Sequence, residues 1–155
     1  MLATDAYFAI RQELMALEYS LARTESDRLA HRLDIDELLL RWRRFATDPG
    51  FASDDRTLLQ DYVICLFARN TLERFVVAAS EQTRAFLKPL IEPSDDAFRA
   101  QTSPTDPGLT ELYKGSSEGW WWRVTPRSLG NELRRQLTDS GTIDGEGRVT
   151  LRDAD

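Results

Sequence analysis

The chain has little of the chemistry that usually betrays an active site. Among its 155 residues there is one cysteine, Cys65, and one histidine, His31. A lone cysteine cannot close an intramolecular disulfide, and every Cys/His zinc or iron–sulfur framework lacks its ligands. No apolar run approaches the roughly 20 residues that a membrane-spanning helix needs. The longest are Tyr62 to Ala68 and Phe75 to Ala79. No basic segment leads into an apolar stretch and a small-residue cleavage site, and no Gly-x-Gly-x-x-Gly, P-loop or Gly-x-Ser-x-Gly occurs. These absences predict a cytoplasmic protein with no cofactor, no metal and no membrane segment. Lysine is also scarce: Lys88 and Lys114 are the only two among 20 basic residues, so arginine carries nearly all the positive charge.

What is present is ordinary for a soluble domain, with 41% hydrophobic and 30% charged residues. The net charge of -6 opposes any broad contact with phosphate backbones. Positive charge would have to be gathered locally.

Helical spacing dominates the first part of the chain. Thr4 and Asp5 make a helix start, followed by Tyr7, Ile10, Leu14, Leu17 and Leu21 at intervals of three and four, in a helix expected to reach about Arg32. Phe8, Met15, Ala22 and Leu29 form a neighbouring seam, which implies more than one partner helix. His31 reads as a complement to the dipole at that helix's end. Asp34 to Glu37 caps a second helix over Leu38 to Phe45, stopped at Pro49-Gly50. Its basic knot, Arg41, Trp42, Arg43 and Arg44, reads as a salt-bridged helix end, with Glu37 and Arg41 four apart.

Ser53, Asp54 and Asp55 are expected to cap the next stretch, which stays helix-compatible from Arg56 to Leu87 and should form the buried centre of the bundle. Asn70 and Glu73 either divide it as a capping box or lie inside one helix. Lys88-Pro89 is expected to end it. Residues 93 to 119, with three prolines, read as a linker holding short helices at Asp95 to Gln101 and Leu109 to Lys114. The acidic pairs Asp54/Asp55 and Asp95/Asp96 read as helix caps.

The end of the chain reads as strand, helix and hairpin: Trp120 to Val124, Pro126 to Thr138 with Thr125 as cap, and Thr142 to Leu151 turning through Asp144-Gly145. That turn matches a calcium loop at several places, but Thr142 stands where the first ligand should be, so a plain hairpin is expected. On the helix, Leu129, Leu133 and Leu137 form one stripe, while Arg127, Asn131, Arg134 and Arg135 lie opposite. From residue 120 to 138 four arginines face one acid, Glu132. Trp120, Trp121 and Trp122 are consecutive, so one face of a strand cannot bury all three. They offer either an aromatic anchor for a partner protein or a seal that holds the module on the bundle.

Residues 120 to 151 resemble the winged-helix modules that close phage and plasmid primase-helicases. The resemblance implies nucleic-acid contact through Arg127, Asn131, Arg134 and Arg135, with Arg148 on the wing. A second motif, Arg69-Asn70-Thr71-Leu72-Glu73-Arg74, resembles the Arg-Asn-x-x-x-His motif of the HEPN family of helical ribonucleases. It implies an all-helical domain using Arg69 and Asn70, but Arg74 replaces the histidine, and arginine does not readily give up its proton.

The expectation is therefore a mostly α protein: a helical bundle over 1–92, an irregular linker over 93–119, and a winged-helix-like module over 120–155 packed on the bundle. Its expected role is a non-enzymatic accessory subunit that assembles with a protein partner or as a homo-oligomer and touches DNA. The alternatives are a protein-interaction subunit using Trp120, Trp121 and Trp122, and a HEPN-like ribonuclease or inactive relative.

Overall fold

The computed structural model describes residues 3–24, 34–104, 109 and 119–142. Among the described residues it is mostly helical, with six α-helices and one small antiparallel ribbon. Helix α1 spans Thr4–Thr24, α2 Ile35–Thr47, α3 Pro49–Ser53, α4 Leu59–Ala78 and α5 Glu81–Gln101. Strand β1 (Thr102–Pro104) then pairs with β2 (Val124–Pro126), with Ser103 opposite Thr125, and α6 covers Asn131–Asp139. Among the described residues, no helix is long and apolar enough to cross a membrane.

The helix starts follow local chemistry. Asp34 caps α2 by accepting from the backbone N–H groups of Asp36 and Glu37 at 2.9 and 3.2 Å. Ser80 caps α5, and Glu13 of α1 reaches across to accept from the Ser80 N–H at 2.6 Å, from its hydroxyl and from the Thr83 hydroxyl. Those donors hold the Glu13 carboxyl below its ordinary pKa. Asn70 and Glu73 lie inside α4, and the chain breaks instead at Ala79 and Ser80.

Several expected boundaries are corrected. Lys88-Pro89 does not end a helix, because α5 runs through Pro89 and Pro93 to Gln101. The boundary expected at residue 92, and the separate short helix at Asp95 to Gln101, both fall within it. Each proline removes a helical N–H and disfavours the helix by about 3 kcal/mol. The stripe Leu87, Ile91, Asp95 and Phe98 nevertheless stays buried across both, and its packing outweighs that penalty. Ser53, Asp54 and Asp55 do not cap the central helix: Ser53 ends α3, and α4 begins after Leu58, whose N–H is met by Asp61 at 3.1 Å.

At the other end, Trp120–Trp122 is a 3-10 turn, not a strand. Successive side chains on such a turn stand about 120° apart, against 180° on a strand, so neighbouring indoles can converge on one partner. Thr125 and Pro126 belong to β2, and α6 starts five residues later than expected, at Asn131. The expected hairpin beyond Thr142, Arg148, His31 and the end of the first helix lie outside the described residues, as does most of Leu109 to Lys114.

The core runs through all the helices. Trp42 meets Phe98 with ring centroids 5.1 Å apart, Phe45 meets Tyr62 at 5.4 Å, and Trp122 meets Phe67 at 5.2 Å. Helix α6 buries Leu133 and Leu137 and is fastened by its first turn. The Gly130 N–H donates to the Ala52 carbonyl at 2.8 Å, and the Asn131 N–H to the Asp55 carboxylate at 3.1 Å. In return, Gln136 of α6 accepts from the Leu59 N–H at 2.7 Å, so α6 completes the start of α4 while α3 and the turn after it complete the start of α6. A Cβ on Gly130 would lie 2.0 Å from the Asp54 carbonyl oxygen. Gly130→Ala is therefore expected to destabilise the fold by about 1–3 kcal/mol in chemical denaturation; unchanged stability would mean that α6 does not sit on the turn between α3 and α4.

Candidate functional site

The densest polar chemistry lies where α2, α4 and α5 meet the tryptophan turn. Arg69 and Asp95, both 6% exposed, form a two-pronged ion pair with Nε–Oδ1 and Nη2–Oδ2 distances of 2.9 Å. The Trp42 indole N–H donates to the same Asp95 Oδ1 at 2.9 Å, and Arg69 also donates to Glu73 at 3.0 Å. The guanidinium carbon of Arg69 stands 4.3 Å from the Trp121 ring centroid, a cation–π contact. Burial alone would lower the Arg69 pKa, but its bonds to Asp95 and Glu73 more than offset that and hold it above the ordinary value.

One residue along α4, the Asn70 side-chain oxygen accepts from both the Trp121 and Trp122 indoles, at 2.7 and 2.8 Å. The adjacent Arg-Asn pair thus locks two elements onto α4: Arg69 takes α5 through Asp95, and Asn70 takes the tryptophan turn. Trp121 and Trp122 are buried by this arrangement and offer no exposed anchor to a partner. Trp120 stays half-buried, its ring 4.0 Å from the Arg99 guanidinium.

A cleft of about 470 Å³ opens over this network, with Glu73, Lys88, Glu92, Arg99 and Trp120 on its walls. Its charges are largely matched within the protein, since Glu73 pairs with Arg69 and Asp96 with Arg99 at 3.4 Å. Cys65 sits on α4, where burial pushes the thiol up to about 11, so it stays protonated at neutral pH. Among the described residues, no group of three His, Cys, Asp or Glu is placed to hold a metal ion.

The residues expected to meet nucleic acid do not form one open basic face. Arg127 donates to the Ser103 hydroxyl and the Ala100 carbonyl, both at 3.2 Å, and so staples β2 to the end of α5. Arg135 is paired with Glu132 at 2.8 Å and Asp139 at 3.2 Å. Asn131 and Arg134 are exposed on the outer side of α6, and among the described residues Arg134 enters no ion pair.

The reading of Asp95 as a helix cap is corrected: it lies buried inside α5, and its part in the network is not evident from local sequence. The signal was there: Asp95 falls on the apolar stripe of Leu87, Ile91 and Phe98, and Arg69 lies within the apolar centre of α4. An acid and a base set singly into two core stripes are each other's natural partners.

Comparison with protein-family models, with curated proteins and with solved structures returned no significant match.

Removing one partner of the buried pair leaves the other charge stranded. Asp95→Ala is expected to cost about 3–5 kcal/mol in denaturant unfolding, while Arg69→Met combined with Asp95→Leu recovers most of that loss. A small effect of Asp95→Ala alone would show that the pair does not hold the bundle.

Proposed function

We propose that the chain is a non-enzymatic accessory subunit that assembles through its helical bundle, with the outward face of α1 pairing with a second copy. The observation that carries this is a stripe of large apolar side chains on α1. Phe8, Met15 and Tyr19 are 63%, 62% and 69% exposed, while Ile10 and Leu14 on the opposite side are buried. Scattered exposed apolar residues are normal, but three on one helical stripe make a contact surface. Methionine and aromatic residues are those that protein interfaces favour.

The stripe also matches itself. Phe8, Met15 and Ala22 recur at intervals of seven, the repeat of a helix–helix seam. With the second helix reversed about Met15, the two Met15 side chains meet at the centre of the seam. The self-matched charges of the cleft support a non-enzymatic role, because Arg69 and Asn70 are both engaged inside the fold. Light scattering on a sizing column is expected to show a dimer that Met15→Glu with Tyr19→Glu converts to monomer without changing helical content. A monomeric wild-type protein, or a variant that still dimerises, removes the α1 interface.

Nucleic-acid contact is a second reading, supported by exposed Asn131 and Arg134 on α6 and exposed Arg123 before β2. Asparagine and arginine suit adenine and guanine edges. Duplex DNA binding is expected to weaken with salt, and Arg134→Ala to reduce the salt slope by about one. Binding that is absent at low salt, or a slope that Arg134→Ala leaves unchanged, ends this reading.

A further inference from the structure

Helix α1 is held on the bundle by little apolar burial and by several charged side chains. Of its described residues only Ile10 and Leu14 are buried, while Leu17 and Leu21 are half-buried. Two of its carboxylates meet N–H groups at the starts of other helices. Glu18 accepts from the Ile35 N–H of α2 at 3.0 Å. Glu13 accepts from the Ser80 N–H at 2.6 Å, from the Ser80 hydroxyl at 2.7 Å and from the Thr83 hydroxyl, all at the start of α5. Arg11 adds a two-pronged pair with Asp36 in the first turn of α2, at 3.1 and 2.5 Å.

These contacts supplement helix starts that carry caps of their own. Asp34 caps α2, and the Ser80 hydroxyl accepts from the Thr83 N–H at 3.3 Å, so neither start is stripped when α1 leaves. Trp42, Arg69 and Asp95 are likewise held together by α2, α4 and α5 alone. The attachment of α1 is sensitive to acid. The Ser80 N–H and the Thr83 hydroxyl hold the Glu13 carboxyl below its ordinary range with no charged neighbour contributing, since Arg84 of α5 is turned to the Val76 and Ala79 carbonyls. Arg11 holds the Asp36 carboxyl low, and Tyr7 and Glu18 are the other titratable groups whose charge acts on Arg11. Beside Asp36, Glu37 is paired with Arg41. Once α1 leaves, both carboxyls regain their ordinary proton affinity, so undocking takes up protons. Docking is therefore strongest above the ordinary carboxylate range and weakens as the pH falls through about 4.

We infer that α1 is an acid-released arm, which lifts from α2 and α5 as a unit on acidification, bares the surface under Ile10 and Leu14, and leaves the other helices packed. Arg11, Glu13 and Glu18 stand apart from the outward stripe of Phe8, Met15 and Tyr19, so the release does not depend on pairing with a second copy. Residue-by-residue hydrogen exchange on the full chain, followed from pH 7 to pH 3 and corrected for intrinsic rates, tests it. The α1 amides are expected to open more than about ten-fold more readily at the acid end, and to do so at a pH where the interior amides of α4 and α5 keep their protection. Glu13→Gln retains a carbonyl for the Ser80 N–H but cannot titrate, and Arg11→Met removes the cation that holds Asp36 ionised. Each is expected to flatten the dependence of α1 opening on pH, whereas loss of a merely structural contact would raise opening equally at every pH. Loss of protection by α1 and α4 together at one pH would overturn the inference, as would a pH dependence that neither variant alters.

Discussion

The buried pair of Arg69 and Asp95 is the constraint around which the other elements are arranged. A charge this far from water is tolerable only with its partner in place and its remaining donors satisfied. That requirement fixes the register of α5 against α4, since Asp95 must arrive opposite Arg69. It also fixes α2, because the Trp42 indole completes the shell of Asp95. The tryptophan turn follows, with Trp121 lying over the Arg69 guanidinium and Asn70 collecting both buried indoles. Three helices and a turn distant in sequence are therefore positioned by one ionic contact, with apolar packing filling the space between. Such a pair adds little net stability compared with well-packed apolar residues; its effect is to penalise misplaced packing.

The helical character of the chain was legible because helix periodicity over long segments is a strong signal, and α1, α2 and α4 appear where their apolar spacing puts them. The failures have a common cause. Pro89, the Trp120–Trp122 run and Thr125-Pro126 were judged from local preference, and each was overruled by a contact distant in sequence. Burial of Ile91 and Phe98 carries α5 past two prolines. A shared acceptor on Asn70 curls the tryptophans into a turn. Pairing with β1 draws Thr125 into a strand. The polar network was harder to see, because an ion pair 26 residues apart in sequence leaves no periodic trace. Arg69 and Asn70 stand in a run that resembles a ribonuclease motif, and the fold uses both in its framework.

Charge tells a similar story. The sequence places four arginines in residues 120–138, and two of them, Arg127 and Arg135, are engaged in fastening the chain to itself. Arginine suits this work, since its planar fork reaches several acceptors from one position. In an arginine-rich, lysine-poor protein a cluster of positive residues is as much a structural fitting as a recognition surface, and the two uses compete for the same donors.

The linked starts of α4 and α6 bear on how the protein comes to be made. The first turn of the central helix is completed by Gln136, 77 residues further along the chain, and the first turn of α6 by Asp55. During synthesis from the N-terminus, α4 leaves the ribosome well before the group that finishes its start. Its opening turn lacks that acceptor until Gln136 has been made, and the two helix starts are then completed together. A long-range closure of this kind couples a later-made segment to one made well before it, raises the loop entropy that folding must overcome, and ties the two regions into one cooperative unit.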